Sequence, residues 1–247
     1  MLPKQFQPNA TYDLIRLGRD HDGGYLVDPA SVTRTKQLIS FGLSTDWSFE
    51  KSFVARNNVP LLAYDGTVAA KTLFRRIPEY LLRLRLRKLI SSIRILTDYY
   101  SFFRHSRIHR HLNVGYDSQK SASLQSIFQQ ENPDTPTFIK MDIEGSEYRV
   151  LDDFLKHASD ISGLVVEFHD VDLHRERVLN FLEEFPLTLI HIHSNNCGQL
   201  ADSSGDPITL EMTFSADPTQ TSSQPSIPHP LDQENCPRER NLPLKFE

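Results

Sequence analysis

The chain is predicted to be an α/β protein, a Rossmann-like, mostly parallel sheet that closes in an antiparallel hairpin. Two observations support this. From about residue 38 onward, short apolar runs alternate with helix-like segments, and parallel neighbours need such crossovers. At the end of the series, two apolar runs are joined by the turn-rich stretch NNCGQLADSSGDP with no helix between them, a connection that suits antiparallel strands.

In chain order, LISFGL (38–43) reads as a buried strand and 47–57 as the helix after it. LLAYD (61–65) is the second strand. HLNVGY (111–116) reads as the third, with a helix over about 121–130. TFIKMD (137–142), GLVVEF (163–168) and LTLIHIH (187–193) are further strands, separated by helices at about 146–157 and 172–184. ITLEMTF (208–214) is the last. Residues 1–214 are assigned to one domain. The Pro-, Ser- and Gln-rich stretch 215–247 is a C-terminal arm, either disordered or lying extended over that domain.

At 247 residues the chain can bury a core that needs neither disulfides nor a structural metal. Its two cysteines, Cys197 and Cys236, are far apart and outside any CxxC pattern, which argues against a disulfide framework or a zinc ribbon and suits a reducing cytoplasm. No secretory leader is evident at the start, and no run approaches the roughly 20 apolar residues of a membrane span. The net charge of −5 is unevenly spread: residues 71–111 hold eleven Lys and Arg against Glu79 and Asp98. Residues 71–110 fill the slot of one crossover helix but are too long for it, so they form a basic helical insertion with apolar and arginine-rich faces. That insertion could grip the diphosphate of a nucleotide-linked acceptor, rest on an anionic membrane, or pack as a plain helical pair or homo-oligomer contact. A nucleic-acid partner is not expected, given the overall acidity and the absence of a nucleic-acid module.

In a doubly wound sheet, ligands lie beyond the carboxyl ends of the strands. After the first strand, Gly42 would allow close backbone approach, while Asp46 and Ser48 could contact a cofactor or simply cap the next helix. Asp65, at the end of the second strand and about 23 residues after Gly42, is placed to hold a ribose, or to make an Asp-Gly turn. The run Lys140-Met141-Asp142-Ile143-Glu144-Gly145-Ser146-Glu147 delivers two carboxylates, Asp142 and Glu144, to the rim. Glu147 falls in a first helical turn, which suggests a structural role. Glu167 and His169 share a strand face, as do His191 and His193. Asp142, Glu167, His169 and His193 are expected on neighbouring strand ends, a mixed carboxylate–imidazole set suited to Mn²⁺, Fe²⁺, Co²⁺ or Zn²⁺. The alternative is a metal-free site with Glu167 or a histidine acting alone. The Asp20–Tyr25 loop is either a lid or a turn into a short strand.

The run K-x-D-I-E-G-S-E-Y-x-V-L resembles the FkbM-type class I methyltransferases. The likeness extends to Arg16–Gly18, Asp22–Tyr25, Ser40–Gly42 with Phe49 and Glu50, Tyr64-Asp65, Val166–His169 and His191–Asn196. It spans roughly residues 14–214. One departure is the first loop, Ser40-Phe41-Gly42-Leu43-Ser44-Thr45-Asp46, in place of the family's D-x-G-A-N-x-G. The resemblance implies an S-adenosylmethionine (SAM)-dependent O-methyltransferase acting on a sugar hydroxyl of a nucleotide-sugar or glycan precursor. Gly42, Asp46, Ser48 and Asp65 would then serve the cofactor. Asp142, His169 and His193 would serve the acceptor chemistry, with His193 or His169 as base. Two other readings stay open, a metal-dependent hydrolase and a non-catalytic methyltransferase-like binding module.

Overall fold

A computed structural model describes residues 1–67, 85–202 and 204–247. The predicted basic insertion falls partly outside them, since 71–84 is not among the described residues.

The N-terminal part carries β1 (Thr11–Tyr12), β2 (Ile15–Gly18) and β3 (Gly24–Val27), the last two paired antiparallel as a hairpin. The Asp20–Tyr25 segment is thus the turn of that hairpin. Next comes α1 (Pro29–Arg34), begun by Asp28, whose carboxylate accepts from the amides of Ala30 and Ser31 at 3.0 and 2.9 Å. Pro29 at the first helical position adds no unpaired donor.

The central sheet is built from β4 (Gln37–Phe41), β5 (Leu61–Tyr64), β6 (Arg107–Arg110), β9 (Thr137–Met141), β10 (Ile161–Phe168), β11 (Thr188–Ser194) and β12 (Leu210–Ser215). Two short strands, β7 (Asn113–Val114) and β8 (Ser121–Ala122), pair beside it, and β13 (Gln220–Ser222) pairs with β1. The sheet order is β11-β12-β10-β9-β4-β5-β6, and only β12 runs antiparallel to its neighbours. Strand order therefore reverses between β4 and β9, which opens a crevice at their carboxyl ends.

Helices α2 (Ser48–Arg56), α3 (Leu86–Phe102), α4 (Leu124–Glu131), α5 (Leu151–Lys156) and α6 (Val171–Glu184) cover the two faces. Side chains alternate across the sheet as a period of two requires. Leu38, Phe138 and Val165 meet Phe49, Phe53, Leu96 and Tyr99 on one face. Ile39, Ile139 and Val166 meet Leu124, Phe154 and Phe181 on the other. Strands buried on both faces need continuous apolar runs, which is why β9 and β10 were plain in the sequence.

Two expectations are corrected. The third sheet strand is Arg107–Arg110, not 111–116, where only the short β7 forms. β6 is an edge strand whose residues are all half-buried or exposed, so it shows no apolar run. Cys197 and Cys236 are joined in a disulfide with Cα atoms 5.3 Å apart, so their spacing no longer argues for a reducing compartment.

The arm, 215–247, lies extended over the domain. It is held by β13, by His191 on Asp232 at 2.8 Å, by the disulfide, and by pairing of Leu2 with Phe246. No helix among the described residues is long and apolar enough to cross a membrane.

Candidate active site

Two cavities open beyond the carboxyl ends of β4, β5 and β9. The larger, about 570 Å³, is lined by Gly42, Tyr64, Asp65, Val114, Tyr116 and Arg149 among others. The smaller, about 290 Å³, is lined by Arg19, Tyr25, Asp46, Lys140, Glu167 and His169 among others. Ser44, Asp142 and Glu144 belong to both walls.

Gly42 brings the loops after β4 and β9 into contact. Its φ is +79°, and a Cβ there would sit 1.6 Å from the Asp142 carbonyl oxygen, so no other residue fits. Asp65 fixes the first loop. One carboxylate oxygen accepts from the amides of Leu43 and Ser44, both at 2.8 Å, and the other from the amide and hydroxyl of Thr67, both at 2.6 Å. These hydrogen bonds hold its carboxyl below the ordinary value against the opposing pull of burial. Gly42 and Asp65 thus line the larger cavity. Asp46 lines the smaller, where Arg19 Nε lies 3.0 Å from it. Asp46 also accepts from the Ser48 amide at 3.0 Å. Ser48 lines neither cavity: its hydroxyl accepts from the Arg19 amide at 3.0 Å and ties the β2–β3 turn to the start of α2.

The carboxylate group predicted at the rim assembles around His169. Glu147, fully buried, accepts from the amides of Ile143 and Gly145 at 3.1 and 3.2 Å, which pins the turn carrying Glu144. The same oxygen lies 3.1 Å from His169 Nδ1. That contact engages one ring nitrogen and leaves Nε2 facing Glu144, Glu167 and Asp142 at 3.6, 3.7 and 4.0 Å. Ligand atoms of Asp142, Glu144 and His169 all lie within 4.8 Å of one another. A buried carboxylate on the far nitrogen fixes the tautomer that a metal-ligating histidine needs.

Around this group, Tyr25 donates to Glu167 at 3.2 Å and Asn195 donates to its other oxygen at 2.8 Å. Lys140 donates to the Gly42 carbonyl and lies 3.7 Å from Asp142. Burial, then the charges of Asp142 and Glu211, raise the Glu167 carboxyl well above its ordinary value. Burial lowers the His169 imidazolium, but Glu147 and the neighbouring carboxylates outweigh it and raise it to about 9.

His193 does not join this group. Cross-strand register places Glu167, Glu211 and His193 in one row on β10, β12 and β11. With β12 inserted, His193 stands two strands from Glu167, roughly 10 Å away. It faces the arm instead, 3.1 Å from Asn235 Oδ1 and 3.7 Å from Asp232. Lys140, Tyr25 and Asn195 all stood inside the runs that carried the resemblance but were given no role of their own, since a strand pattern gives no sign of which way a lysine turns.

The strand order and the crevice define a class I methyltransferase-like fold. Residues 91–198 match the family model described as the Methyltransferase FkbM domain, which bears out the resemblance carried by the DIEGSE run. No curated protein matches the chain. Among solved structures, the chain is similar to precorrin-6y C5,15-methyltransferase from Geobacter metallireducens, at 12% identity over 76% of this chain and 86% of that one, with a TM-score of 0.42. It is also similar to a putative tRNA (m1A22) methyltransferase from Streptococcus pneumoniae in complex with SAM, at 10% identity over 78% and 72% of the two chains, with a TM-score of 0.41. At such scores the strand order, rather than the superposition, defines the fold.

Proposed function

We propose that the chain transfers a methyl group from SAM to a hydroxyl of a sugar, in a nucleotide-sugar or glycan precursor, with a divalent cation assisting. The observation that carries this reading is the shared wall: a large cavity and a small polar one meet at Ser44, Asp142 and Glu144. Two ligands seated in them would meet there.

In this reading the larger cavity takes SAM, with Asp65 and Gly42 on its wall and Val114, Ile143 and Tyr116 offering apolar surface to an adenine. SAM supplies a methyl group on a positively charged sulfur. The smaller cavity takes the acceptor. Asp142, Glu144 and His169 fit Mn²⁺, Fe²⁺, Co²⁺ or Zn²⁺ by donor type, and a cation there would lower the pKa of a bound hydroxyl. Glu167 is the proton acceptor in this reading, because it lines the smaller cavity beside Asp142 and His169 and its two hydrogen bonds fix its direction. Arg19 and Lys140 contribute positive charge and hydrogen-bond donors on the acceptor side.

Calorimetric titration with SAM and S-adenosylhomocysteine tests the cofactor, and titration with Mn²⁺ tests the metal. Binding of both nucleosides, weakened in Asp65→Asn, is expected. Mn²⁺ binding without nucleoside binding would replace this reading with the hydrolase, in which the same group activates water.

A further inference from the structure

Helix α3 presents two apolar faces. Leu89, Leu96, Tyr99 and Phe102 are buried against the domain. Leu86, Ile90, Ile93 and Tyr100 form a second stripe, spaced four, three and seven residues apart, and they are 60, 50, 47 and 62% exposed. Thr97 completes the stripe and is also exposed. Scattered exposed apolar residues need no explanation, but a continuous stripe along four turns does.

The charges beside the stripe are nearly all of one sign. Arg87 and Arg94, seven residues apart, flank it and are exposed, as are Arg85 and Lys88 at the start of the helix. The single acid of the helix, Asp98, is paired with Lys51. In the sequence immediately before the helix, Lys71, Arg75, Arg76 and Arg83 stand against Glu79 alone. A helix with aliphatic and tyrosine side chains on one face and exposed arginines alongside suits the interface of an anionic bilayer.

The position of the stripe adds to this. Ile93 and Arg94 line a groove of about 560 Å³ with Thr45 and Trp47. Thr45 also lines the smaller cavity of the candidate site. The exposed face therefore begins at the rim of the cavity assigned to the acceptor.

We infer that α3 docks the protein on a membrane surface bearing anionic lipids, with the smaller cavity held near that surface. The inference does not depend on the reaction proposed above. It is tested by flotation of the full chain with phosphatidylcholine vesicles, with and without phosphatidylglycerol. Binding is expected only with phosphatidylglycerol, and it should weaken as salt is raised. Arg87→Gln with Arg94→Gln should weaken it by about fivefold per charge removed, on the order of twenty-five-fold together. Ile90→Ser with Ile93→Ser should also lose binding, and circular dichroism should show both variants folded as the parent. Equal binding to both kinds of vesicle, or binding untouched by both variants, overturns the inference. So does the absence of vesicle binding together with a dimer that Ile90→Ser and Ile93→Ser dissolve, which assigns the stripe to a second copy of the chain.

Discussion

His169 owes its direction to Glu147, and that dependence sets an order among variants that tests the proposed metal site. His169→Ala is expected to lower Mn²⁺ affinity by more than about a hundredfold, and Glu147→Gln by about ten- to a hundredfold. His193→Ala should leave it unchanged, since Glu211 and a whole strand intervene. Titration calorimetry on the three variants checks the order, and equal losses in all three would refute the assignment. Gly42→Ala tests the backbone: with positive φ and a Cβ placed against the Asp142 carbonyl, it should cost about 3 kcal/mol or more, measured by urea unfolding. Much of this was readable in the sequence. Asp142, Glu144 and Glu147 stand in one strand-to-helix turn, so a single local motif placed them. His193 was not readable, because its position depends on where β12 inserts, and alternation within one strand says nothing about which strand lies next.

Among the elements, the arm shows how residues far apart in sequence hold one another. Asp232 accepts from His191 and from the amide of His229, and lies beside His193. Hydrogen bonds and the charges of both histidines of β11 hold its carboxyl below the ordinary 3.8, outweighing burial. Its contribution is therefore present above pH 3.8 and lost as pH falls through the lowered value. Asp232 and Glu211 raise the His193 pKa above 6.5 despite burial, so that contribution is full below pH 6.5 and lost as pH rises through the raised value. His229 acts in the opposite sense, its pKa lowered by burial and by His191. Comparison with Asp232→Asn removes this background. The gap in Tm between parent and variant should be widest between about pH 4 and 6.5 and should close on the acid side. A gap that does not vary with pH would show that the carboxylate's charge is not what holds the arm. β13 and the arm's anchors could not be foreseen, since a proline- and serine-rich stretch carries no period and its partners are scattered from β11 and Cys197 to the N-terminal strand β1. β6 was missed for a related reason: an edge strand needs no apolar run.

At the scale of the molecule, the alternation of buried strands with helices made the two-faced core and the mostly parallel sheet legible, because burial on both faces forces apolar runs on β4, β9 and β10. The cysteines misled, because spacing in sequence carries no distance in space. The Cys197–Cys236 bond closes a loop of 39 residues, so Cys197→Ser should lower stability by about 3–4 kcal/mol in urea unfolding. Thiol titration of the unreduced parent should find no free cysteine.

The wall common to the two cavities makes their occupants thermodynamically interdependent. Asp142 and Glu144 face both spaces, so a positively charged sulfonium on one side and a divalent cation on the other would draw on the same negative field. SAM should therefore weaken Mn²⁺ affinity relative to uncharged S-adenosylhomocysteine, and Mn²⁺ must weaken SAM by the same factor. Titration in both orders measures that factor twice. With Glu144→Gln, Mn²⁺ should bind more weakly and the antagonism that remains should be smaller.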